Sequence, residues 1–415
     1  MQAEPNYLVV NKNVYESAQD FLISMVVPVF NAEQWIERCF LSICNQTYRN
    51  SNIECFFVDD CSQDNSAQIL QDLMDKYRGE IKFSLMRQEK NCGAGACRNT
   101  GIRNSSGEYV IFVDADDEIA ADSLLILAGL AQKYQQVDIV QGQAEAIVFY
   151  EGNIVKIGYY DAYFETFKFP EYTNDTVWIR KRMSFTSKRG FIPVTPWNKL
   201  IRKRFIVENN LYFSNIRSGQ DLLWNFFASK YIKHIAFTAN FTYLLHREHV
   251  SVIAKNQRTP LNRIMILEEM LKNINIETFC ETVETVETEL NHWIIPHIDG
   301  RGPEYYDLRK RVRNIRNIID SLITEIPQYT PFNRISVIEK MLKNVNKETP
   351  VETVETLYTA STELNTWVIP YIGVHRPEYY DLLKRVRNIK NTIRNLFAEM
   401  PQQQTDTNEH QGNAD

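Results

Sequence analysis

The chain has 415 residues, 44% hydrophobic and 24% charged, with 46 Lys and Arg against 52 Asp and Glu. That length supports two or three domains with cores of their own, and the mild acidic excess excludes an electrostatic grip on nucleic acid along the whole surface. The longest apolar stretch, around Leu124 to Ala131, falls far short of the ~20 residues that cross a bilayer. The seven cysteines (Cys39, Cys44, Cys55, Cys61, Cys92, Cys97, Cys280) show no C-x-x-C or zinc spacing. They read as small buried hydrophobes in a reducing compartment. With no basic-then-apolar segment at the N-terminus, the expectation is a cytoplasmic chain, at most peripheral on the inner face of the membrane.

Residues 1–20 are polar and weakly periodic, an expected extension. Phe21–Val27 is a buried-strand run stopped by Pro28, after which Trp35, Ile36, Cys39, Phe40 and Ile43 carry helical spacing. A second strand, Ile53–Val58, ends in Asp59-Asp60-Cys61-Ser62, and a helix is predicted over Ala67–Tyr77. A third strand, Ile81–Arg87, leads to Asn91-Cys92-Gly93-Ala94-Gly95-Ala96-Cys97-Arg98 and another helix. The fourth, from Glu108 to Val113, runs into Asp114-Ala115-Asp116-Asp117. This alternation predicts an α/β domain whose parallel sheet carries helices on both faces, with ligands beyond the carboxyl ends of the strands.

Three carboxylates at the mouth of a core repel one another, and a divalent cation relieves that repulsion most simply. Helix capping near Asp122 is the competing account of these acids. The glycines Gly93 and Gly95 do not make a dinucleotide fingerprint, because Arg98 stands where the third glycine belongs. Arg98 at a helix start suits a nucleotide phosphate or base instead.

Pro28-Val29-Phe30-Asn31-Ala32, Asn45-Gln46-Thr47-Tyr48, Val58-Asp59-Asp60-Cys61-Ser62, Asn91-x-Gly93 with Arg98-Asn99-x-Gly101, and Asp114-Ala115-Asp116-Asp117 resemble, in order and spacing, the family 2 glycosyltransferases. The resemblance is strong over 23–122 and weaker to about 253. It implies a GT-A nucleotide-diphospho-sugar transferase fold, a UDP-sugar donor, Mn²⁺ or Mg²⁺ on the diphosphate, and a glycan or lipid-linked acceptor. By the same resemblance, Pro28 and Phe30 shape the base pocket, Asp60 with Asp59 meets the uracil, and Arg98 lies near base and phosphates. Asp114 then faces the ribose, Asp116 is the metal ligand, and Asp117 stands behind it or turns to the sugar. Cys61 occupies a position usually held by glycine, a harmless change unless the turn needs a positive φ. Pro196-Trp197-Asn198-Lys199-Leu200 resembles a further family motif, in which Trp197 reads as structural.

The candidate general base is Asp221, with a helix cap as its competing role. Gln220 replaces the glutamate usual before it, which removes a neighbouring charge and favours a lower Asp221 pKa. Tyr243–Ser251 resembles the family's stretch after the last sheet strand, and the resemblance implies that Arg247 or His246 touches the diphosphate or completes the metal shell, a lone loop histidine being otherwise an ordinary surface residue. The aromatics Tyr159, Tyr160, Tyr163, Phe164, Phe167 and Phe169 suit either sugar stacking or plain core.

Beyond Lys255 a repeat appears. Thr259-Pro260-Leu261-Asn262-Arg263-Ile264 recurs as Thr330-Pro331-Phe332-Asn333-Arg334-Ile335, and Pro303–Leu308 recurs as Pro377–Leu382. The expected division is a GT-A domain over 21–255, helical repeats over 256–328 and 329–401 forming an all-α domain, and a disordered tail over 402–415. Tyr305, Leu308, Val312, Ile315, Ile319 and Leu322 form a seam that wants a partner helix, from the other repeat or from a second chain. The basic residues opposite it form a solvated face or meet anionic lipid. The expected function is inverting, metal-dependent sugar transfer in cell-surface polysaccharide synthesis. The alternative is a catalytically weak nucleotide-binding GT-A module with a helical scaffold role.

Overall fold

The computed structural model describes residues 21–150, 153–158, 169–183, 192–216, 219–247, 260–274, 279–298, 302, 305–325, 338–339, 342, 360 and 380–398. The N-terminal extension, the aromatics from Tyr159 to Phe167, Ser251, most of the second repeat and the tail lie outside them.

The first half follows the predicted alternation: β1 (Ile23–Val29), α1 (Ile36–Cys44), β2 (Ile53–Asp59), α2 (Ser66–Lys76), β3 (Lys82–Arg87), α3 (Ala94–Asn104) and β4 (Tyr109–Phe112). Then come β5 (Glu118–Ile119), α4 (Ser123–Lys133), β6 (Ile139–Tyr150), β7 (Asn153–Gly158), β8 (Tyr172–Thr173), β9 (Lys199–Arg202) and β10 (Ile235–His246). The sheet order is β3-β2-β1-β4-β9-β6-β10-β5, with β7 added to β6 and β8 to β10. Strands β1 to β4 are parallel in register, Val29 facing Asp59 and Val26 facing Phe112, so their carboxyl ends finish on one edge.

Beyond β4 the mostly parallel sheet takes in antiparallel strands. β9 is antiparallel to both β4 and β6. The chain enters β9 from the crevice edge, where Trp197 bridges Phe112, and so runs back through the sheet. This inserted strand begins at Lys199, two residues after Trp197.

Both faces of the sheet are covered, as the unbroken apolar runs require. On β1, Ile23, Met25, Val27 and Val29 join a core with Ile36, Phe40, Phe57 and Leu127, while Val26 joins the opposite core with Ile102, Phe112, Ile201, Phe213 and Trp224. Helix α3 lies close on β1 because Gly101 has no side chain. A Cβ there would come within 2.2 Å of Val26.

The chain divides into two compact units, 1–312 and 313–415. The Pro260–Lys272 helix packs on the Gln220–Tyr231 helix, where Lys230 Nζ donates to the Asn273 carbonyl, and this joins it to the first unit. Within that unit Arg311 grips Glu268 with two bonds, Nε at 2.8 Å and Nη2 at 2.5 Å. Within the second, Arg385 grips Glu339 in the same way, at 2.9 and 2.6 Å. Of the seam, Val312, Ile315 and Ile319 are buried, as are Val386, Ile389 and Ile393, while Arg313, Arg316, Arg387 and Lys390 are exposed. Among the described residues no helix is long and apolar enough to cross a membrane.

Candidate active site

The ends of β1, β2 and β4, the start of α3 and the start of the Gln220–Tyr231 helix meet at one crevice. From β1 come Pro28, which is buried, and Phe30, which is 43% exposed. From β2 comes Asp59, fully buried, whose Oδ1 accepts from the Ser62 amide at 3.1 Å and whose Oδ2 lies 3.4 Å from Arg87 Nε. The two Asp60 oxygens accept from the amides of Cys92 (2.8 Å) and Gly93 (2.7 Å), which fastens the turn before α3 to the end of β2. Cys61 has φ 63°, so the turn does need the left-handed conformation that glycine adopts freely.

Helix α3 delivers Arg98 into the centre. Its guanidinium is 4% exposed, with Nη2 2.9 Å from Asp114 Oδ1 and Nη1 3.1 Å from Asp221 Oδ1, above the Phe213 ring. Burial opposes its charge, but Asp221 and Asp114 more than offset this and Arg98 is held above its usual range. Arg98 therefore joins Asp114 to the candidate base Asp221.

The acidic cluster is a turn between β4 and β5, closed by the Asp117 amide donating to the Asp114 carbonyl. It caps no helix, since Asp122 occupies that place for α4. Asp117 is 2% exposed. Its Oδ2 accepts from the Tyr243 hydroxyl at 2.9 Å, and its Oδ1 from the His246 amide at 2.8 Å. Burial first, then Asp116 and Asp114, push its carboxyl well above the usual carboxylate range. The Tyr243 hydroxyl also accepts from the Asp114 amide, and its ring stacks on Trp197 at 4.6 Å, which gives Trp197 the structural place expected of it. Beneath the turn the buried Cys39 thiol is raised by burial and by these acids.

Asp116 is half-buried at the open end of the turn, its carbonyl held by Arg38 Nη2 at 2.8 Å. His246 is buried, with Nε2 2.6 Å from Glu118 Oε1, and Arg247 is exposed at the end of β10. Among the described residues no group of three His, Cys, Asp or Glu side chains is arranged to hold an ion alone. One or two carboxylates at an open rim fit a Mg²⁺-like cation whose other ligands come from a diphosphate and water. The residues thus suit a cation arriving with the donor.

Asp221 lies in the first turn of its helix, whose N-cap is Gly219 with φ 80° and no capping side chain, so Asp221 is not the cap. Its carboxyl is raised above the usual range. Burial is the main cause, Arg98 opposes it, Asp114 adds to it, and Lys199 opposes it. The absence of a glutamate at 220 does not leave it low, because burial raises it and Asp114, from the turn after β4, adds a second negative charge. The buried Gln220 side chain instead packs on Gly95, where a Cβ would come within 1.9 Å of Gln220 Oε1.

Lys199 is a functional candidate that pattern reading passed over, as part of a motif centred on its tryptophan. It is fully buried, and Nζ donates to the carbonyls of Pro193 (2.6 Å) and Thr195 (2.5 Å). Burial lowers it to about 7, with Asp221 opposing the shift. The signal available in sequence was a lysine opening a strand otherwise made of core residues.

This architecture is the GT-A-like fold of nucleotide-diphospho-sugar transferases, a mixed curled sheet with flanking helices and an acidic turn at the crevice. Residues 24–189 match the model of Glycosyl transferase family 2, so the chain carries a family 2 glycosyl transferase domain. It is 32% identical over 235 residues to the poly(ribitol-phosphate) beta-glucosyltransferase of Bacillus spizizenii, covering 55% of this chain and 33% of that protein. It is 33% identical over 203 residues to glycosyltransferase GlyA of Streptococcus pneumoniae, covering 49% and 27%. The chain thus spans about a third of the length of these curated relatives. The crystal structure of S. aureus TarS 1-349 in complex with UDP superposes with a TM-score of 0.54 at 18% identity, covering 90% of this chain and 91% of that one, a likeness of fold.

Proposed function

We propose that the chain is an inverting, metal-dependent glycosyltransferase that moves a sugar from a UDP-sugar to a hydroxyl of a glycan or lipid-linked acceptor in cell-surface polysaccharide synthesis. The observation that carries this reading is Arg98 bridging Asp114 and Asp221, because it sets a donor-side acid and a raised carboxyl on one crevice. A base near the working pH is the most effective proton acceptor, and the upward shift of Asp221 moves it in that direction. The acceptor oxygen attacks C1 opposite the diphosphate. As the new C1–O bond forms, Asp221 takes the hydroxyl proton, the old C1–O bond breaks, and UDP leaves with the electron pair.

Pro28, Phe30, Asp59 and Asp60 shape the base pocket in this reading, Asp60 by tying β2 to the loop before α3. Asp114 faces the ribose and Arg247 the diphosphate. Asp116 would hold Mn²⁺ or Mg²⁺, which when bound neutralises diphosphate charge. His246, engaged by Glu118, supports that ligand from behind. The matched Arg–Glu grips support reading the C-terminal helices as a duplicated module. Their exposed arginines and lysines suit an anionic membrane surface on the cytoplasmic side.

The test is a panel of UDP- and GDP-sugars assayed for Mn²⁺-dependent hydrolysis and for protection against thermal unfolding. A UDP-sugar should give both effects, and Asp116→Ala should abolish both. If no nucleotide-sugar does so, or Asp116→Ala leaves the effects intact, the reading fails.

A further inference from the structure

A further cleft, of about 600 Å³, lies on the edge of the sheet opposite the crevice. Its place follows from the strand pairing. Tyr109, which starts β4, faces Arg202 at the end of the antiparallel β9, and Ile139, which starts β6, pairs with Ile201 and with Ile235, the first residue of β10. Around these strand starts the cleft is walled by the Thr176–Met183 helix, the Lys203–Glu208 helix and the segment 230–233 that leaves the helix carrying Asp221. Along that helix Tyr231 lies about 15 Å beyond Asp221, at about 1.5 Å per residue, so the cleft is separate from the crevice.

The chain as a whole has a net charge of -6, yet this cleft is lined by Arg180, Arg202, Arg204, Lys230 and Lys233 against Asp138 and Glu208. Arg202 pairs with Glu108 at 2.9 Å, and Arg204 with Glu208 at 2.6 Å. Asp138 is turned to the backbone, its Oδ2 accepting from the Lys233 and His234 amides at 2.8 and 3.0 Å. Among the described residues neither Lys230 nor Lys233 pairs with a carboxylate. The half-buried Lys230 Nζ donates to the Asn273 carbonyl and sits 4.6 Å from the centre of the Phe226 ring, while Lys233 is exposed. An anion entering the cleft therefore meets two ammonium groups without breaking an ion pair.

The rest of the lining suits more than a bare anion. The volume falls in the ~300–1,000 Å³ range of small-molecule sites. Gln136 and Asn209 bring side-chain amides, which both donate to and accept from hydroxyls, and Tyr231, 44% exposed, offers an aromatic face with a polar tip. We propose that this cleft is a second binding site, for a sugar or polyol phosphate, with the phosphate on Lys230 and Lys233 beside Arg180, the hydroxyls on Gln136 and Asn209, and the carbon skeleton against Tyr231. It stands independently of the role given to the crevice.

The test is calorimetric titration of the full chain, without nucleotide, at ~50 mM salt, where surface charge is little screened. The probes are glucose 6-phosphate, a free monoester, and glycerophosphoglycerol, a diester like a unit of a longer chain, with glucose and inorganic phosphate as controls. One of the two probes should bind at least ~5-fold more tightly than either control, and the tighter probe tells whether the ligand is a free monoester or a unit of a chain. Lys233→Glu sits at an exposed position, and Lys230→Gln keeps an N–H donor for the Asn273 carbonyl, so both should fold. The first should weaken binding ~10-fold or more and the second ~5-fold, as expected for losing a hydrogen bond to a charged group. UDP with Mn²⁺ should leave the binding unchanged. Absence of binding by both probes, parity of both with inorganic phosphate, displacement by UDP, or unchanged binding in Lys233→Glu overturns the proposal.

Discussion

Arg98 and Asp221, 123 residues apart in the chain, meet at 3.1 Å, and the same guanidinium holds Asp114 at 2.9 Å. Arg98→Met leaves two carboxylates facing one another without their shared cation. Both acids keep about a third of their side-chain surface exposed, so the penalty falls below that of a fully buried pair, at about 2 kcal/mol. Urea unfolding should show that loss. Arg98→Lys should recover only part of it, since an ammonium lacks the planar fork that reaches both acids. Full recovery by lysine would show that the fork itself is unimportant.

Cys61 carries a side chain at φ 63°, in a turn locked by the Asp59 bond to the Ser62 amide. Cys61→Gly removes the left-handed penalty and should raise stability by about 0.5–1 kcal/mol, the gain being reduced by glycine's greater freedom in the unfolded chain. The urea midpoint should rise with an unchanged slope, and a fall would mean that the thiol's packing outweighs its strain.

The alternating half of the fold was legible because its strands are unbroken apolar runs between turn signals, and Ile23–Val29 is buried at every position. The acidic turn was legible for the same reason, as charge at the end of such a run. β9 was not, because a four-residue strand inserted between β4 and β6 has no periodicity of its own and is defined by the neighbours it pairs with. Lys199 escaped with it. Asp221 was singled out by motif, but its raised carboxyl depends on burial and then on Asp114, which lies more than a hundred residues away in the chain. The boundary expected near 255 rests on a change in composition, which carries no information about the packing of Pro260–Lys272 on the Gln220–Tyr231 helix.

Tyr243 is fully buried, and its hydroxyl both donates to Asp117 and accepts from the Asp114 amide. Tyr243→Phe keeps the stack on Trp197 but leaves an amide and a carboxylate oxygen without that partner, at a cost of about 2 kcal/mol. The acidic turn loses its main lateral tie, so UDP affinity in Mn²⁺ should fall along with stability. Calorimetric titration of UDP checks this, and unchanged affinity would show that the turn keeps its shape without the hydroxyl.

Lys199 titrates at about 7 when folded, against an ordinary value of 10.5. Below about 7 it is protonated in both states and adds no slope to stability against pH. Between about 7 and about 10.5 the unfolded chain binds the extra proton, so this group makes the folded state more stable as pH rises, by at most about 1.4 kcal/mol per pH unit. The buried thiols and tyrosines are shifted upward and work in the opposite sense, so the comparison must be with Lys199→Met. Urea unfolding at several pH values between about 7 and about 9 should give the parent the more positive slope, with the variant more stable near pH 7, where the burial cost is fully present. Parallel slopes would mean that Lys199 keeps an ordinary pKa, its two carbonyl bonds compensating for lost water.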